Sequence, residues 1–176
     1  MTWIDTKIVY EPGKKLALAY NRAMASTAAE WVLFLDQDLF ICNPHWYAMC
    51  LSAIDQVGHE AGWITCVCNR IGAPQQRCRP DPDTDDVMDH IAFARRLYEQ
   101  FGHTTKPCPG SLSGFFILTS KTAWRAAGGF NERRPGMLGV DNDYSRSVRR
   151  AGFGLFLMPG LYFYHLYKKK PAVMGW

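Results

Sequence analysis

Residues 31–40 read WVLFLDQDLF, in which a continuous apolar run from Trp31 to Leu35 is followed directly by Asp36 and Asp38. Such a run is typical of a strand that is buried on both faces of a parallel sheet. In open α/β sheets, ligands bind at the carboxyl ends of the strands, and the two aspartates lie at that end. The segment therefore predicts an α/β fold with a ligand site at the end of this strand.

Strand-like and helix-like segments alternate along the rest of the chain. Residues 69–86 contain three prolines and many polar residues, which predicts a long loop of functional or mobile character. The alternation indicates a mostly parallel sheet flanked by helices, and 176 residues fit a single domain, 1–176, with one core. Further strands are predicted at residues 7–10, 63–68, 113–119, 153–158 and 161–164, and helices at residues 15–29, 45–57, 87–101, 121–127 and 141–151.

The composition argues against several classes of protein. The hydrophobic fraction of 48% is that of a folded globular domain. The net charge of +4 is mild, and no basic-aromatic groove motif appears, so we expect no nucleic-acid partner. The N-terminus lacks the pattern of a signal peptide, and no stretch reaches the roughly 20 apolar residues that span a bilayer. We therefore expect a soluble protein in a reducing, cytoplasmic compartment.

The cysteines offer a second place for a metal. Cys66 and Cys68 would share one face of a strand, and with Cys78 and Cys108 they could form a metal site. Their spacing matches no standard zinc pattern, and small buried thiols are the alternative.

The C-terminal residues are basic and aromatic. Lys168–Lys170 and the aromatic residues around them could contact anionic lipid, as a peripheral membrane contact, or an acidic partner. The alternative is a solvated basic tail. The aromatic residues are Tyr162, Phe163, Tyr164, Tyr167 and Trp176.

The chemistry of Asp36 and Asp38 is that of a cation site. Side chains alternate along an extended backbone, so the two carboxylates point the same way. Two hard oxygen ligands aimed at one point suit Mg²⁺ or Mn²⁺, and such an ion can hold a diphosphate and neutralise the charge that develops on it. The alternative is a turn in which both aspartates accept hydrogen bonds from the backbone.

Two later segments carry further candidates, each with a structural alternative. Asp141 and Asp143 lie at the start of a predicted helix, where Asp141 is either an N-cap or, if it faces a pocket, a general base. His165 follows a short apolar strand among aromatic residues, where a histidine is either a ligand or a packed core residue. The residues alone leave both choices open.

Four segments, taken in order, resemble the inverting glycosyltransferases of the GT-A fold, most closely glycosyltransferase family 2 and its relatives. Residues 13–38, GKKLALAYNRAMASTAAEWVLFLDQD, are similar to the family's glycine, alanine-asparagine helix and D-x-D strand. Residues 112–132, LSGFFILTSKTAWRAAGGFNE, are similar to the strand, helix and Gly-Gly-Phe turn before the acceptor site. Residues 139–152, GVDNDYSRSVRRAG, resemble the helix that carries the acidic catalytic motif, and His165 follows late in the chain.

The resemblance implies a metal-dependent inverting enzyme that moves a sugar from a nucleotide-sugar donor, UDP- or GDP-linked, to a hydroxyl of a carbohydrate or other acceptor. Mn²⁺ or Mg²⁺ would bridge the diphosphate and be held by Asp38, Asp36 and His165. Asp141 would be the catalytic base that takes the proton of the acceptor hydroxyl. The residues implied on the donor side are Gly13, Asn21, Asp36, near the ribose or sugar, and Gly114, where the backbone would approach the sugar.

The chain departs from the family pattern at its start. Met1–Thr6 leaves no room for the family's first strand and helix, so we expect a GT-A, Rossmann-like sheet that lacks the usual first β-α unit. The base-recognition half of the nucleotide site would then be missing or rebuilt, and a partner strand could replace the absent edge, as in a homo-oligomer. The family's glutamate before the catalytic aspartate is Val140 here.

Two other functions remain open on the sequence. One is a catalytically inactive GT-A remnant that acts as a glycan- or protein-binding module, which the short N-terminus motivates. The other is a different metal-dependent phosphoryl or nucleotidyl transfer enzyme, which also needs clustered aspartates.

Overall fold

A computed structural model describes residues 2–13 and 15–166 of the chain, which form a seven-stranded sheet and five α-helices. The strands are β1 (Ile4–Lys7), β2 (Trp31–Leu35), β3 (Leu39–Ile41), β4 (Ala61–Cys68), β5 (Lys106–Pro107), β6 (Phe116–Ser120) and β7 (Gly154–His165). The helices are α1 (Leu16–Ser26), α2 (Trp46–Val57), α3 (Val87–Phe101), α4 (Lys121–Ala126) and α5 (Val140–Arg150).

The sheet has the strand order β1-β2-β6-β4-β7-β3, and β5 pairs with β7. Parallel pairing joins β1 to β2 and β4 to β7, whereas β6 is antiparallel to both β2 and β4. As a result β1, β2, β4 and β7 run in one direction, and the short strands β3 and β5 run against β7. The expected α/β architecture, a sheet with a mostly parallel core flanked by helices, is confirmed.

The sheet is buried on both faces, as the apolar run of β2 predicts. Val32 and Phe34 pack on one face with Tyr20 of α1, whereas Leu33 packs on the other face with Met49 of α2. Because helices cover both sides of β2, its carboxyl end is fixed in position. The residue that follows the strand, Asp36, is therefore delivered to a defined point.

Several boundaries differ from the prediction. β1 begins at Ile4 instead of Lys7, and the two strands predicted at 153–158 and 161–164 form the single strand β7. Pro159 lies inside β7, but the pairing of β7 with β4 shifts between Met158 and Tyr162. The proline therefore lies where β7 leaves its partner, and its missing N–H removes no ladder hydrogen bond. The strands β3 and β5 are too short for their periodicity to be recognised.

The predicted loop at residues 69–86 is tied back onto the sheet. It contains one 3-10 turn, Pro74–Gln76. The amide of Cys78 donates a hydrogen bond to the carbonyl of Cys68 at 3.1 Å, and the Arg77 guanidinium donates to the carbonyl of Ile71 at 2.6 Å. The loop therefore follows a fixed course past the ends of the strands.

The basic and aromatic C-terminal tail, which could contact anionic lipid or an acidic partner or be solvated, is only partly described. Tyr162, Phe163 and Tyr164 are buried in β7, so they are not part of an exposed surface. Tyr167, Lys168–Lys170 and Trp176 lie outside the described residues. None of the described helices is both long and apolar enough to span a bilayer.

Gly160 packs against backbone where β7 leaves β4. A Cβ atom at this position would overlap the carbonyl oxygen of Gly102. We expect Gly160→Ala to lower the free energy of unfolding by roughly 1–3 kcal/mol through this overpacking, as measured by chemical denaturation. Gly72→Ala is the matched control, because its Cβ would meet only Ser113 Oγ at 3.4 Å. Equal stability of the two variants would contradict the packing described.

Candidate functional site

Asp36, Asp38 and His165 form the one group of three or more potential metal ligands among the residues that the structure describes. His165 Nε2 lies 3.3 Å from Asp38 Oδ1 and 3.9 Å from Asp36 Oδ2, and one ligand atom from each residue lies within 4.8 Å of the other two. Two carboxylates and one imidazole nitrogen suit Mn²⁺ and are compatible with Mg²⁺. The donor set therefore fits the expected divalent ion.

Strand β3, which the sequence did not reveal, brings the two halves of this group together. It pairs antiparallel with the end of β7, so that Leu39 lies opposite His165. The amide of Leu166 also donates a hydrogen bond to the carbonyl of Asp38 at 3.0 Å. The chain thus turns directly after Asp36 and carries Asp38 to the last residue of β7.

The imidazole of His165 is oriented for ligation by backbone contacts. Its Nδ1 lies 2.8 Å from the carbonyl oxygen of Arg70, which can only accept, so Nδ1 carries the proton and Nε2 faces the aspartates. Asn69 Oδ1 accepts from the His165 amide at 2.8 Å, and the ring stacks on Phe115 with centroids 5.7 Å apart. Burial lowers the pKa of His165 and outweighs the opposite effect of Asp38, which favours the neutral, ligating form.

The environment of Asp36 disfavours the ionised form of its carboxyl group. Its side chain is 41% exposed, but it lies at the end of a buried strand, close to two other carboxylates. Burial first, and then the charges of Asp38 and Asp141, raise the pKa of Asp36 to about 7. A divalent cation between Asp36 and Asp38 would remove this repulsion, which is the reason such a cluster favours metal binding.

Asp141 faces the same cavity from α5. The helix begins at Val140 after Gly139, which has a left-handed conformation with φ 79°, so Asp141 is not the N-cap that its position in the sequence allows. Asp141 Oδ2 accepts a hydrogen bond from the Gly114 amide at 3.1 Å. A Cβ atom on Gly114 would lie 3.3 Å from Asp141 Cβ, tighter than most real contacts, so this close approach favours glycine at position 114.

Four of the predicted site residues line one cavity of about 350 Å³, namely Asp36, Gly114, Asp141 and His165. Asp38 contacts His165 from outside this cavity. The described residues that line it include no lysine and no arginine. The described lining residues therefore combine two carboxylates and a histidine with no lysine or arginine.

Asp143 has a structural role. Arg134 makes a bidentate ion pair with it, at 2.5 Å and 3.0 Å, and Arg146 and Asn131 also donate to its carboxylate. These contacts hold its pKa well below the ordinary range, the hydrogen bond from Arg134 being the largest cause. Asp143 thereby anchors the segment before α5 against the helix.

The comparisons with known proteins concern the fold. No protein-family model and no curated protein matches the chain. The crystal structure of residues 1–349 of S. aureus TarS, a GT-A-like glycosyltransferase, matches with a TM-score of 0.53 at 16% sequence identity. The match covers 85% of this chain and 39% of that chain. The chain has a glycosyltransferase-like fold. At this identity the likeness extends to the fold alone.

Within the glycosyltransferase-like fold, Gly13 and Asn21 lie outside the cavity of Asp36 and Asp141. Gly13 lines a separate cavity of about 510 Å³ beside Lys15 and Arg133. The Asn21 amide accepts from Trp124 Nε1 and the Phe130 amide and donates to the Phe130 carbonyl and to Glu132. Asn21 therefore ties α1 to the Gly-Gly-Phe turn, and the structure does not bring it to the other donor-side candidates.

The cysteines form no cluster of this kind in the described part of the chain, where the one group of potential ligands contains none of them. Cys66, Cys68 and Cys108 are buried, and Cys78 is half-buried. Burial raises the pKa of each of these thiols, which is the behaviour of packing residues.

Sequence reasoning missed Asn69 and Gln76 as supporting residues of the site. Asn69 follows β4 directly, at the carboxyl end of a buried strand, which was a signal of the same kind as that of Asp36. Gln76 had no such signal, because its contacts depend on the course of the loop at residues 69–86.

The raised pKa of Asp36 predicts how pH changes the stability of the metal-free protein. In the unfolded chain this carboxyl ionises near 3.8, and in the folded chain near 7. The folded state therefore holds the proton more tightly, and stability falls as pH rises from about 4 to 7 and is then constant. With chelator present, we expect Asp36→Asn to be more stable than the native chain at pH 8, by a margin that shrinks as pH falls to 4, in denaturant titrations.

The control for this prediction is Asp55→Asn, which removes an exposed aspartate on α2. It should shift stability little and without the same pH profile. Mn²⁺ should reverse the order at pH 8, because it stabilises the native chain and not Asp36→Asn. A pH-independent difference between native chain and Asp36→Asn would contradict the described electrostatics.

Proposed function

We propose that this chain is a metal-dependent inverting glycosyltransferase of the family 2 type, which moves a sugar from a nucleoside-diphosphate sugar to an acceptor hydroxyl. The observation that carries the proposal is the single cavity lined by Asp36, Gly114, Asp141 and His165 at the strand ends of a glycosyltransferase-like fold. The chain spans 39% of the TarS chain that it matches, so the donor, the acceptor and the activity of this chain are all proposals.

The charge of the cavity supports metal dependence. A nucleoside diphosphate is anionic, and the cavity presents the carboxylates of Asp36 and Asp141 with no lysine or arginine among its described lining residues. The residues suited to hold a cation there are Asp36, Asp38 and His165. Mn²⁺ or Mg²⁺ bound to them would supply the positive charge that stabilises the leaving diphosphate.

The contacts of Asp141 support its proposed role as the general base. Its Oδ2 accepts from the Gly114 amide and its Oδ1 from the Asn142 amide at 2.8 Å, so the carboxylate is held rigidly while it faces the cavity. It would take the proton of the acceptor hydroxyl as that oxygen forms a bond to the anomeric carbon and the bond to the diphosphate oxygen breaks. A single displacement of this kind inverts the anomeric configuration.

Binding of the donor is the first test. We expect UDP or GDP to raise the melting temperature when Mn²⁺ is present and not when chelator is present, because a ligand at about 100 times its Kd adds roughly 2.7 kcal/mol to the stability of the native state. The three residues Asp36, Asp38 and His165 are called the candidate metal group. His165→Gln, which removes the imidazole from this group, should abolish the increase. Asp55→Asn, on α2, is the matched control and should retain it.

An equal rise in melting temperature with chelator present would argue against the proposal. So would the absence of any rise with every nucleoside diphosphate tested. Glycan binding that chelator does not affect would favour a binding module. Release of inorganic diphosphate from a nucleotide substrate would favour a nucleotidyl transfer enzyme.

Asp141→Asn tests the catalytic role separately from binding. The substitution keeps the shape of the side chain and an acceptor for the Gly114 amide but removes the base. We expect kcat to fall by about 10² to 10⁴-fold, the usual contribution of a general base, while the Mn²⁺-dependent melting shift stays within error of the native chain. For the native chain, analysis of the product by NMR should show inversion at the anomeric carbon. Full turnover by Asp141→Asn would exclude Asp141 as the base.

A further inference from the structure

Gln76 is a polar side chain at the centre of a buried network. It ends the 3-10 turn of the loop at residues 69–86, and it is 0% exposed. Burial of an amide is unfavourable unless its hydrogen bonds are satisfied, so its partners show what the residue does. The partners of its side chain lie on β4 and on the segment that leads into β6.

The side-chain amide of Gln76 makes two hydrogen bonds with the backbone of Ser113. Gln76 Oε1 accepts from the Ser113 amide at 2.7 Å, and Gln76 Nε2 donates to the Ser113 carbonyl at 3.1 Å. Nε2 also donates to Thr65 Oγ1 at 2.8 Å. The Thr65 hydroxyl donates its only proton to the Phe116 carbonyl at 3.0 Å, so it must accept from Gln76, which fixes the orientation of the amide.

The carbonyl of Ser113 and the amide of Gly114 belong to one peptide unit. In a planar trans peptide these two groups point in opposite directions. Gln76 holds the carbonyl on one side, and on the other side the Gly114 N–H donates to Asp141 Oδ2 at 3.1 Å. The same peptide therefore connects Gln76 mechanically to the carboxylate of Asp141.

The segment at residues 108–115 has no regular secondary structure, so side chains set the direction of its peptides. Ser145 Oγ accepts from the Leu112 amide at 3.3 Å, and Arg149 donates to the Gly110 carbonyl at 2.6 Å. These contacts come from α5, the helix that carries Asp141. From the opposite side, the loop contributes Gln76, the Ala73 amide, which donates to Ser113 Oγ at 3.1 Å, and Gln75, which donates to the Ser111 carbonyl. Among these contacts, only those of Gln76 go to the backbone of Ser113.

We propose that Gln76 is a positioning residue for the acceptor base, acting through the Ser113–Gly114 peptide on Asp141. The proposal rests on the proposed function, in which Asp141 takes the acceptor proton. Without Gln76 the peptide can rotate, the Gly114 N–H leaves Asp141, and the carboxylate loses one of its two backbone donors. The side-chain hydrogen bonds of Gln76 go to Thr65 and Ser113 and not to Asp36, Asp38 or His165, so we expect the affinity for Mn²⁺ to be retained.

Gln76→Met, which keeps the length of the side chain without its amide, tests this in turnover. We expect kcat to fall roughly tenfold to 100-fold, because displacement of a reacting group by about 1 Å has an effect of this size. The donor KM and the Mn²⁺ affinity should stay at the values of the native chain. Gln100→Met, the same substitution at an exposed glutamine of α3, is the matched control and should keep native kcat. Native kcat in Gln76→Met, or a loss of Mn²⁺ affinity as large as the loss of kcat, would overturn the proposal.

Amide hydrogen exchange tests the positioning without any activity. In Gln76→Met the Gly114 amide should exchange about tenfold faster or more, because its hydrogen bond to Asp141 is opened locally. The Ala123 amide, bonded to Ser120 Oγ at 3.0 Å at the far end of β6, should keep its native rate and so reports that global stability is retained. Unchanged exchange at Gly114 overturns the proposal.

The two measurements separate the possible failures. If the native chain turns over no sugar nucleotide, the proposed function fails, and the exchange of the Gly114 amide still decides whether Gln76 positions Asp141. If Gln76→Met does not fold, Gln76→Asn replaces it, because the shorter amide stays polar but cannot reach both Ser113 and Thr65. It is expected to show the same faster exchange at Gly114, and native exchange there counts against the proposal.

Discussion

The antiparallel pairing of β6 with β2 brings Asp36 and Gly114 together in the candidate site. Leu35 lies opposite Phe116 in this pairing, and the amide of Asp36 donates to the carbonyl of Phe115 at 3.0 Å. Because β6 runs against its neighbours, it begins where β2 ends, so Gly114 arrives beside Asp36. A parallel β6 would begin at the opposite edge of the sheet. The reversed strand is therefore what places a backbone donor for Asp141 next to the candidate metal group.

The site concentrates negative charge in a way that the fold alone does not relieve. Asp36 has the carboxylates of Asp38 and Asp141 as neighbours, and its pKa is raised to about 7, first by burial and then by these charges. His165, kept neutral by burial, does not compensate. By contrast, Asp143, two residues after Asp141, has two arginine partners. The arginines Arg134 and Arg146 thus stabilise the segment before α5, and the described residues that line the cavity include no lysine or arginine.

The sequence predicted those features that depend on local pattern. The bounds of β2 and of α3 were predicted correctly, because a fully apolar run and a clear amphipathic period define them. Asp36, Asp141, Gly114 and His165 were all predicted, and they meet at one cavity. The features that depend on tertiary contacts were not predictable: β3 exists because it pairs with β7, and Asn21 is occupied by a turn more than a hundred residues away.

The loop at residues 69–86 shows why the supporting residues escape sequence reasoning although the site residues do not. Its first residues, Asn69 and Arg70, hold the amide and the imidazole of His165, and Gln76 holds the peptide that carries the Gly114 donor to Asp141. One loop thus supports both His165, on β7, and, through the Ser113–Gly114 peptide, Asp141, on α5. Its prolines and polar residues predicted only a long loop of functional or mobile character. In the structure, its polar side chains supply hydrogen-bond partners for backbone groups near the strand ends. The relative position of His165 and Asp141 is therefore determined by the loop as much as by the sheet.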